Sequence, residues 1–217
     1  PNNPTGAVET PEFYQDLLRF ARENDLFVIS DIAYCDLSLD PSYRARSFLE
    51  FDRERERTLE FHSFSKSYSM QGWRVGFAAG NRDVMATLLK IKSNMDFGVF
   101  MAIQRAALAV LSGPQDYCTE VSGLYRQRRD LLVTALKALG YPVDPPRATI
   151  YLWLPIPRRF SSSLDFTREL LDRTGVVVSP GSGFGAAGEG YVRIALCVSE
   201  ERLREVGERM AKAGLTY

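Results

Sequence analysis

The sequence predicts an α/β fold followed by a small α+β domain, and three observations carry that prediction. Phe13, Leu17, Leu18, Phe20 and Ala21 give a roughly helical apolar face, and the continuous apolar run Leu26-Phe27-Val28-Ile29-Ser30 follows it. A run of that length and kind suggests a buried parallel strand in an α/β sheet. Beyond residue 148, strand-like and helical stretches alternate over short distances, as in a small α+β unit. Between the two regions, a long charged amphipathic helix from Gln115 to Leu139 is bounded by Gly113-Pro114 and by Gly140, and is expected to bridge two domains. The expected division is 1–113 and 114–217.

Composition narrows the function classes. The chain has 217 residues with 27 basic and 27 acidic side chains, so it has no net charge with which to attract nucleic acid or an anionic membrane. A small molecule is the expected partner. Cys35, Cys118 and Cys197 are odd in number and far apart, and His62 is the single histidine, so neither a disulfide framework nor a zinc site is indicated. A reducing cytoplasm is the expected compartment. No apolar run approaches the roughly 18 residues of a membrane span.

Taken in order, Pro1-Asn2-Asn3-Pro4-Thr5-Gly6 reads as a turn. Thr10 is placed as the N-cap of the first helix, with Pro11 at its first position. The strand at 26–30 ends in Asp31-Ile32-Ala33-Tyr34, which puts a carboxylate where α/β sheets place ligand contacts, although an N-cap or loop role would be the commoner explanation of an isolated aspartate. Asp36 to Arg57 is charge-rich and reads as a surface excursion without chemistry. Leu59 to Ser63 enters a turn carrying Lys66, and the chain returns through Gly72 into a strand-like run from Arg74 to Ala79. Helical patterns follow at 82–93 and 100–111. In the C-terminal region Thr149–Leu154, Val176–Ser179 and Tyr191–Cys197 are strand-like, and Ser163–Arg173 and Glu200–Ala213 are helical.

Three positions invite chemistry on their own terms. A lysine in a loop ordinarily reads as a solvated charge. Arg193 stands in the middle of a short apolar strand, where an unpaired cation is costly, so either a structural carboxylate or a ligand must neutralise it. His62 precedes the lysine turn, but no serine or cysteine triad partner accompanies it, and it reads as a strand or supporting residue.

Ser63-Phe64-Ser65-Lys66, followed eight residues after the lysine by Arg74 of Gly72-Trp73-Arg74-Val75-Gly76-Phe77, resembles the cofactor-lysine segment of class I/II aminotransferases, which are fold-type I pyridoxal 5'-phosphate (PLP) enzymes. The resemblance implies that Lys66 forms a Schiff base with PLP and that Ser63 and Arg74 hold its phosphate. An amine must be neutral to attack an aldehyde, and a nearby cation such as Arg74 favours that form. Asn-Pro-Thr-Gly at 3–6 matches a family turn whose asparagine binds the phenolic oxygen of PLP, which implies that role for Asn3. The D-x-A-Y pattern implies that Asp31 pairs with the pyridine nitrogen and that Tyr34 bonds the phenolic oxygen. Arg193 matches the arginine that grips the substrate α-carboxylate, with Asn3 beside the substrate as well. Pro180-Gly181-Ser182-Gly183-Phe184-Gly185 lacks the ending of a P-loop and matches a family loop close to the substrate.

The resemblance covers essentially the whole chain. It implies a partial fold-type I large domain with a truncated, mainly parallel sheet at 1–113, and a bridging helix and small α+β domain at 114–217. The implied reaction moves an amino group between an amino acid and a 2-oxo acid. Lys92 to Gln104 and Gly181 to Ile194 look most similar to LL-diaminopimelate and aspartate-type aminotransferases. The same matched residues serve PLP-dependent lyases and synthases, and aminotransferase-like sensor domains occur in transcription regulators. The chain opens inside a motif and reads as a C-terminal fragment, expected to be inactive alone and to belong to a homodimer.

Overall fold

The computed structural model describes residues 1–217, which form two compact units. The first holds Pro1 and Val8–Val121, the second Asn2–Ala7 and Ser122–Tyr217. In the first unit, helix α1 (Pro11–Glu23) begins where its signals stand: Thr10 Oγ1 accepts a hydrogen bond from Phe13 N at 3.3 Å, with Pro11 at the first position. Its buried face is Tyr14, Leu18 and Ala21, an i, i+4, i+7 set, whereas Phe13 and Phe20 are exposed. Tyr14 decides the orientation. Its ring stacks on Phe51 at 4.9 Å and meets Phe48 edge-on at 5.4 Å.

Strands β1 (Val28–Asp31), β2 (Thr58–Ser63) and β3 (Gly76–Gly80) form one sheet in that order. β1 runs parallel to β2, with Asp31 opposite Phe61, and β3 runs antiparallel to β2, with Gly76 opposite Ser63. Only one of the two pairings is therefore parallel, because the 64–75 connection brings the chain straight back alongside β2 without a crossover. The expected burial of β1 is not met either. Ile29 is 71% exposed, since β1 is an edge strand with β2 as its single neighbour.

The 36–57 excursion is less superficial than its charge suggests, for it buries Leu37, Leu39 and Phe48. Asp52 is buried within it, accepting from Arg57 N at 2.9 Å and Glu56 N at 3.3 Å, with Arg22 Nη2 at 3.6 Å. Helices α2 (Phe64–Ser67), α3 (Arg82–Met95) and α4 (Met101–Ser112) follow. α3 buries no residue. Helix α5 (Asp116–Ala138) runs through the boundary between the units.

The second unit has an antiparallel sheet of β4 (Tyr151–Pro155), β5 (Ser179–Pro180) and β6 (Tyr191–Ala195), with β6 in the middle. The strand expected at 176–179 pairs only at Ser179 and Pro180. Upstream of that pairing Val176 and Val178 point into the core while Val177 is exposed. Leu152, Leu154, Val192 and Ile194 line one face of the sheet and pack with Leu132 and Leu136 of α5. Helices α6 (Ser163–Thr174) and α7 (Glu200–Lys212) add Phe166, Leu170, Leu203 and Met210. Alternation puts Tyr151, Trp153, Tyr191 and Arg193 on the other face. The N-terminal turn also packs in this unit: Gly6 is left-handed (φ +71°), and a Cβ there would stand 3.0 Å from Pro146 Cβ.

Candidate active site

In the first unit the predicted site residues converge at one end of the β1-β2-β3 sheet. Asp31 is the last residue of β1 and Ser63 the last of β2. Because β3 is antiparallel, its start at Gly76 lies at the same end, with Arg74 two residues before it. Close backbone approach fixes that end, since a Cβ on Gly76 would lie 2.5 Å from His62 O. Ser63 caps the one-turn helix α2, its Oγ accepting from Ser65 N at 3.2 Å, and Lys66 is the third residue of that helix. The lysine thus sits on a hydrogen-bonded turn rather than in an open loop.

Lys66 is half-buried, with Nζ 5.7 Å from the centre of the buried Tyr34 ring. Arg74 takes left-handed backbone angles (φ +53°, ψ +51°) at the end of the short 3-10 turn Gln71–Trp73, and its Nη1 donates to Gln71 O at 2.9 Å. A positive φ at an arginine is strained. Asp31 is exposed, and its Oδ1 accepts only from Ala33 N at 3.2 Å. No carboxylate neutralises Lys66 or Arg74, and no cationic side chain pairs with Asp31. Two cations and a carboxylate at one sheet end fit a ligand that carries a phosphate and a protonatable ring nitrogen. Cys35, next to Tyr34, is no rival nucleophile, because burial pushes its thiol up to about 12 and Asp36 adds to the effect.

The second unit brings together Asn3 and Arg193, which are far apart in the chain. Arg193 Nη1 donates to Asn3 Oδ1 at 2.8 Å and Nη2 to Ser179 Oγ at 3.4 Å. Its guanidinium carbon lies 4.3 Å from the Tyr151 ring centre and 4.7 Å from that of Phe184. No carboxylate pairs with it, and its buried Nε has no hydrogen-bond partner. Of the two ways to neutralise this cation, a structural carboxylate is thereby removed, and a ligand carboxylate is the one that remains.

Sequence reasoning put Phe184 in a loop close to the substrate but did not place its ring, or that of Tyr151, against Arg193. A signal was available in Tyr151-Leu152-Trp153-Leu154, where aromatic and aliphatic residues alternate and so separate an aromatic face from the core. The Phe184 loop is held by Glu189: Ser163 N donates to Glu189 Oε1 at 2.5 Å, Ser163 Oγ donates to Oε2 at 3.1 Å, and Ser163 Oγ lies 3.1 Å from Ser182 Oγ.

A family model described as "Aminotransferase class I and II" matches residues 1–210. Among curated relatives, LL-diaminopimelate aminotransferase 2 of Trichormus variabilis is 45% identical over all of this chain and 55% of its own length. LL-diaminopimelate aminotransferase of Syntrophobacter fumaroxidans is 48% identical over 98% of this chain and 54% of its own. The chain thus spans about half the length of the curated relatives it matches. Among solved structures, a probable N-succinyldiaminopimelate aminotransferase from Thermus thermophilus is 37% identical with a TM-score of 0.91, covering 98% of this chain and 56% of that one. The aromatic aminotransferase from Pyrococcus horikoshii is 34% identical with a TM-score of 0.93, over 98% and 57%. Class I and II aminotransferases use PLP, and their fold-type I architecture is the one found here. With a family model covering nearly its whole length and a backbone that superposes closely on solved members, the chain belongs to the class I and II aminotransferases.

Proposed function

We propose that these residues are part of a cytoplasmic, homodimeric PLP-dependent aminotransferase that acts on LL-diaminopimelate and a 2-oxo acid, with residues 1–113 contributing to its cofactor domain and 114–217 forming its bridging helix and small domain. The observation that carries the reading is the convergence of Asp31, Ser63, Lys66 and Arg74 at one sheet end, with no salt bridge to Asp31, Lys66 or Arg74. The substrate assignment is supported by the 45–48% identity to relatives named for it. No helix is long and apolar enough to cross a membrane.

When bound, PLP supplies an electron sink for the charge left at the substrate Cα. Lys66 Nζ bonds the cofactor and, when free, takes and returns the Cα proton. The Asp31 carboxylate keeps a proton on the ring nitrogen, and that proton is what makes the ring a strong sink. Ser63 and Arg74 bind the phosphate, the guanidinium through its planar fork. Tyr34 donates to the phenolic oxygen, and Asn3 has the part that the N-P-T-G resemblance implies for it. Arg193 binds the substrate α-carboxylate.

The test is to reduce the PLP-loaded whole protein with borohydride and map the pyridoxyl group by peptide mass spectrometry. Modification at Lys66 is expected. Modification at another lysine would remove the basis of the assignment.

A further inference from the structure

Strand β2, which leads into the lysine turn, carries a buried carboxylate to which nothing above gives a role. Glu60, in the middle of β2, is 0% exposed. Ser47 Oγ lies 2.9 Å and 3.1 Å from its two oxygens, Phe48 N donates to Oε2 at 2.8 Å, and His62 Nε2 lies 2.8 Å from Oε1. Burial pushes the Glu60 carboxyl up, but hydrogen bonds from His62, Ser47 and the Phe48 amide outweigh it and leave it below the usual range. A buried charge held this way is a poor means to stability, since an apolar residue packed in its place is often neutral or better. It is a good means to fix a direction. Its hydrogen bond sets the plane of the His62 ring.

That ring begins a run of contacts which ends on both sides of Lys66. His62 stacks flat on Phe77 of β3, with centres 4.4 Å apart and planes 4° apart. Phe77 meets Phe64 edge-on at 5.8 Å, and Phe64 packs against Tyr68 at 5.7 Å. Phe64 stands two residues before Lys66 and Tyr68 two after, and the Tyr68 hydroxyl donates to Gln115 Oε1 at 2.7 Å. The one-turn helix α2 is too short to be stable by itself, so its placement must come from such neighbours.

We propose that Glu60 and His62 are positioning residues for Lys66, acting through the Phe77-Phe64-Tyr68 ring contacts to hold the lysine-bearing turn in the orientation that receives PLP. The inference rests on the reading of Lys66 as the cofactor lysine. It assigns a task to the single histidine that neither its sequence context nor the family comparison supplies.

Three variants of the whole protein separate positioning from mere stability. His62→Leu removes both the ring and the hydrogen bond. His62→Phe keeps a ring on Phe77 but strands Glu60, and Phe77→Leu breaks the stack while leaving Glu60 paired. Each is measured for thermal midpoint, for PLP dissociation constant, and for circular dichroism of the bound-cofactor band, which reports orientation. His62→Leu and Phe77→Leu are expected to weaken PLP binding about tenfold and to alter the dichroism, since both break the stack. His62→Phe, which keeps a ring but loses the bond to Glu60 that orients it, is expected to lower the midpoint as much as His62→Leu, yet to weaken PLP binding only about threefold. Loss of affinity that merely follows the midpoint across all three variants would overturn the proposal, as would unchanged affinity and dichroism in His62→Leu. Failure of the wild-type protein to yield a borohydride-trapped adduct at Lys66 would instead overturn the underlying reading, and the inference with it.

Discussion

Replacing Arg193 by lysine puts the carboxylate-binding assignment at risk most directly. The guanidinium has its faces against Tyr151 and Phe184, one Nη on Asn3 and the other near Ser179, and a buried Nε with no partner. A substrate carboxylate that takes the remaining Nη hydrogens completes a two-pronged contact, of which a lysine ammonium can supply one prong. A hydrogen bond to a charged group contributes ~1.5–3 kcal/mol, so Arg193→Lys should lower kcat/KM for the amino donor by about tenfold to about a hundredfold. Arg193→Gln, which also loses the charge, should be worse. The assay is steady-state kinetics on the PLP-saturated whole protein, run beside a spectroscopic titration of PLP. KM should rise while PLP affinity stays. Unchanged KM with loss of PLP would refute it and make Arg193 a cofactor ligand or a structural ion.

Two further predictions concern stability and association. The Glu60 carboxyl is lowered from its ordinary value of 4.5, so its contribution is fully present above about pH 4.5 and is lost as pH falls through the folded-state value. Wild-type thermal midpoints should therefore drop on acidification through that range more steeply than those of Glu60→Gln, and parallel curves would contradict the sign. The 217-residue chain alone should be catalytically inactive and should self-associate, because Ile29, Leu89, Met95, Phe97, Phe100 and Leu108 are each more than 60% exposed in one unit. Size exclusion showing a monomer that does not bind a hydrophobic dye would oppose this.

What could be read from the sequence was local along the backbone. The cap at Thr10, the turn after Ser63 and the strand end at Asp31 are each decided within a few residues, so residue type and spacing suffice to place them. What could not be read was convergence between distant segments. Ser47 and Phe48 reach Glu60 across 13 and 12 residues, and Asn3 meets Arg193 across 190. A charge-rich excursion gives no sign that one of its backbone amides will bind a carboxylate in a strand, and a lone histidine gives no sign that its ring will be stacked.

The burial expected for β1 has a different explanation. An apolar run such as Leu26–Ser30 records the surroundings a strand is built for, and among these 217 residues only β2 stands beside it. The same holds for α3, which carries Leu89, Ile91 and Met95 and buries nothing. Relatives that match this chain end to end are nearly twice its length. The first unit has an exposed apolar strand and an uncovered apolar helix, whereas the second unit closes its own core around Leu152, Phe166, Leu170 and Leu203. The two units should therefore differ in independence: the second has the packing of a self-sufficient domain, and the first, which carries Lys66, depends on surface it does not itself contain.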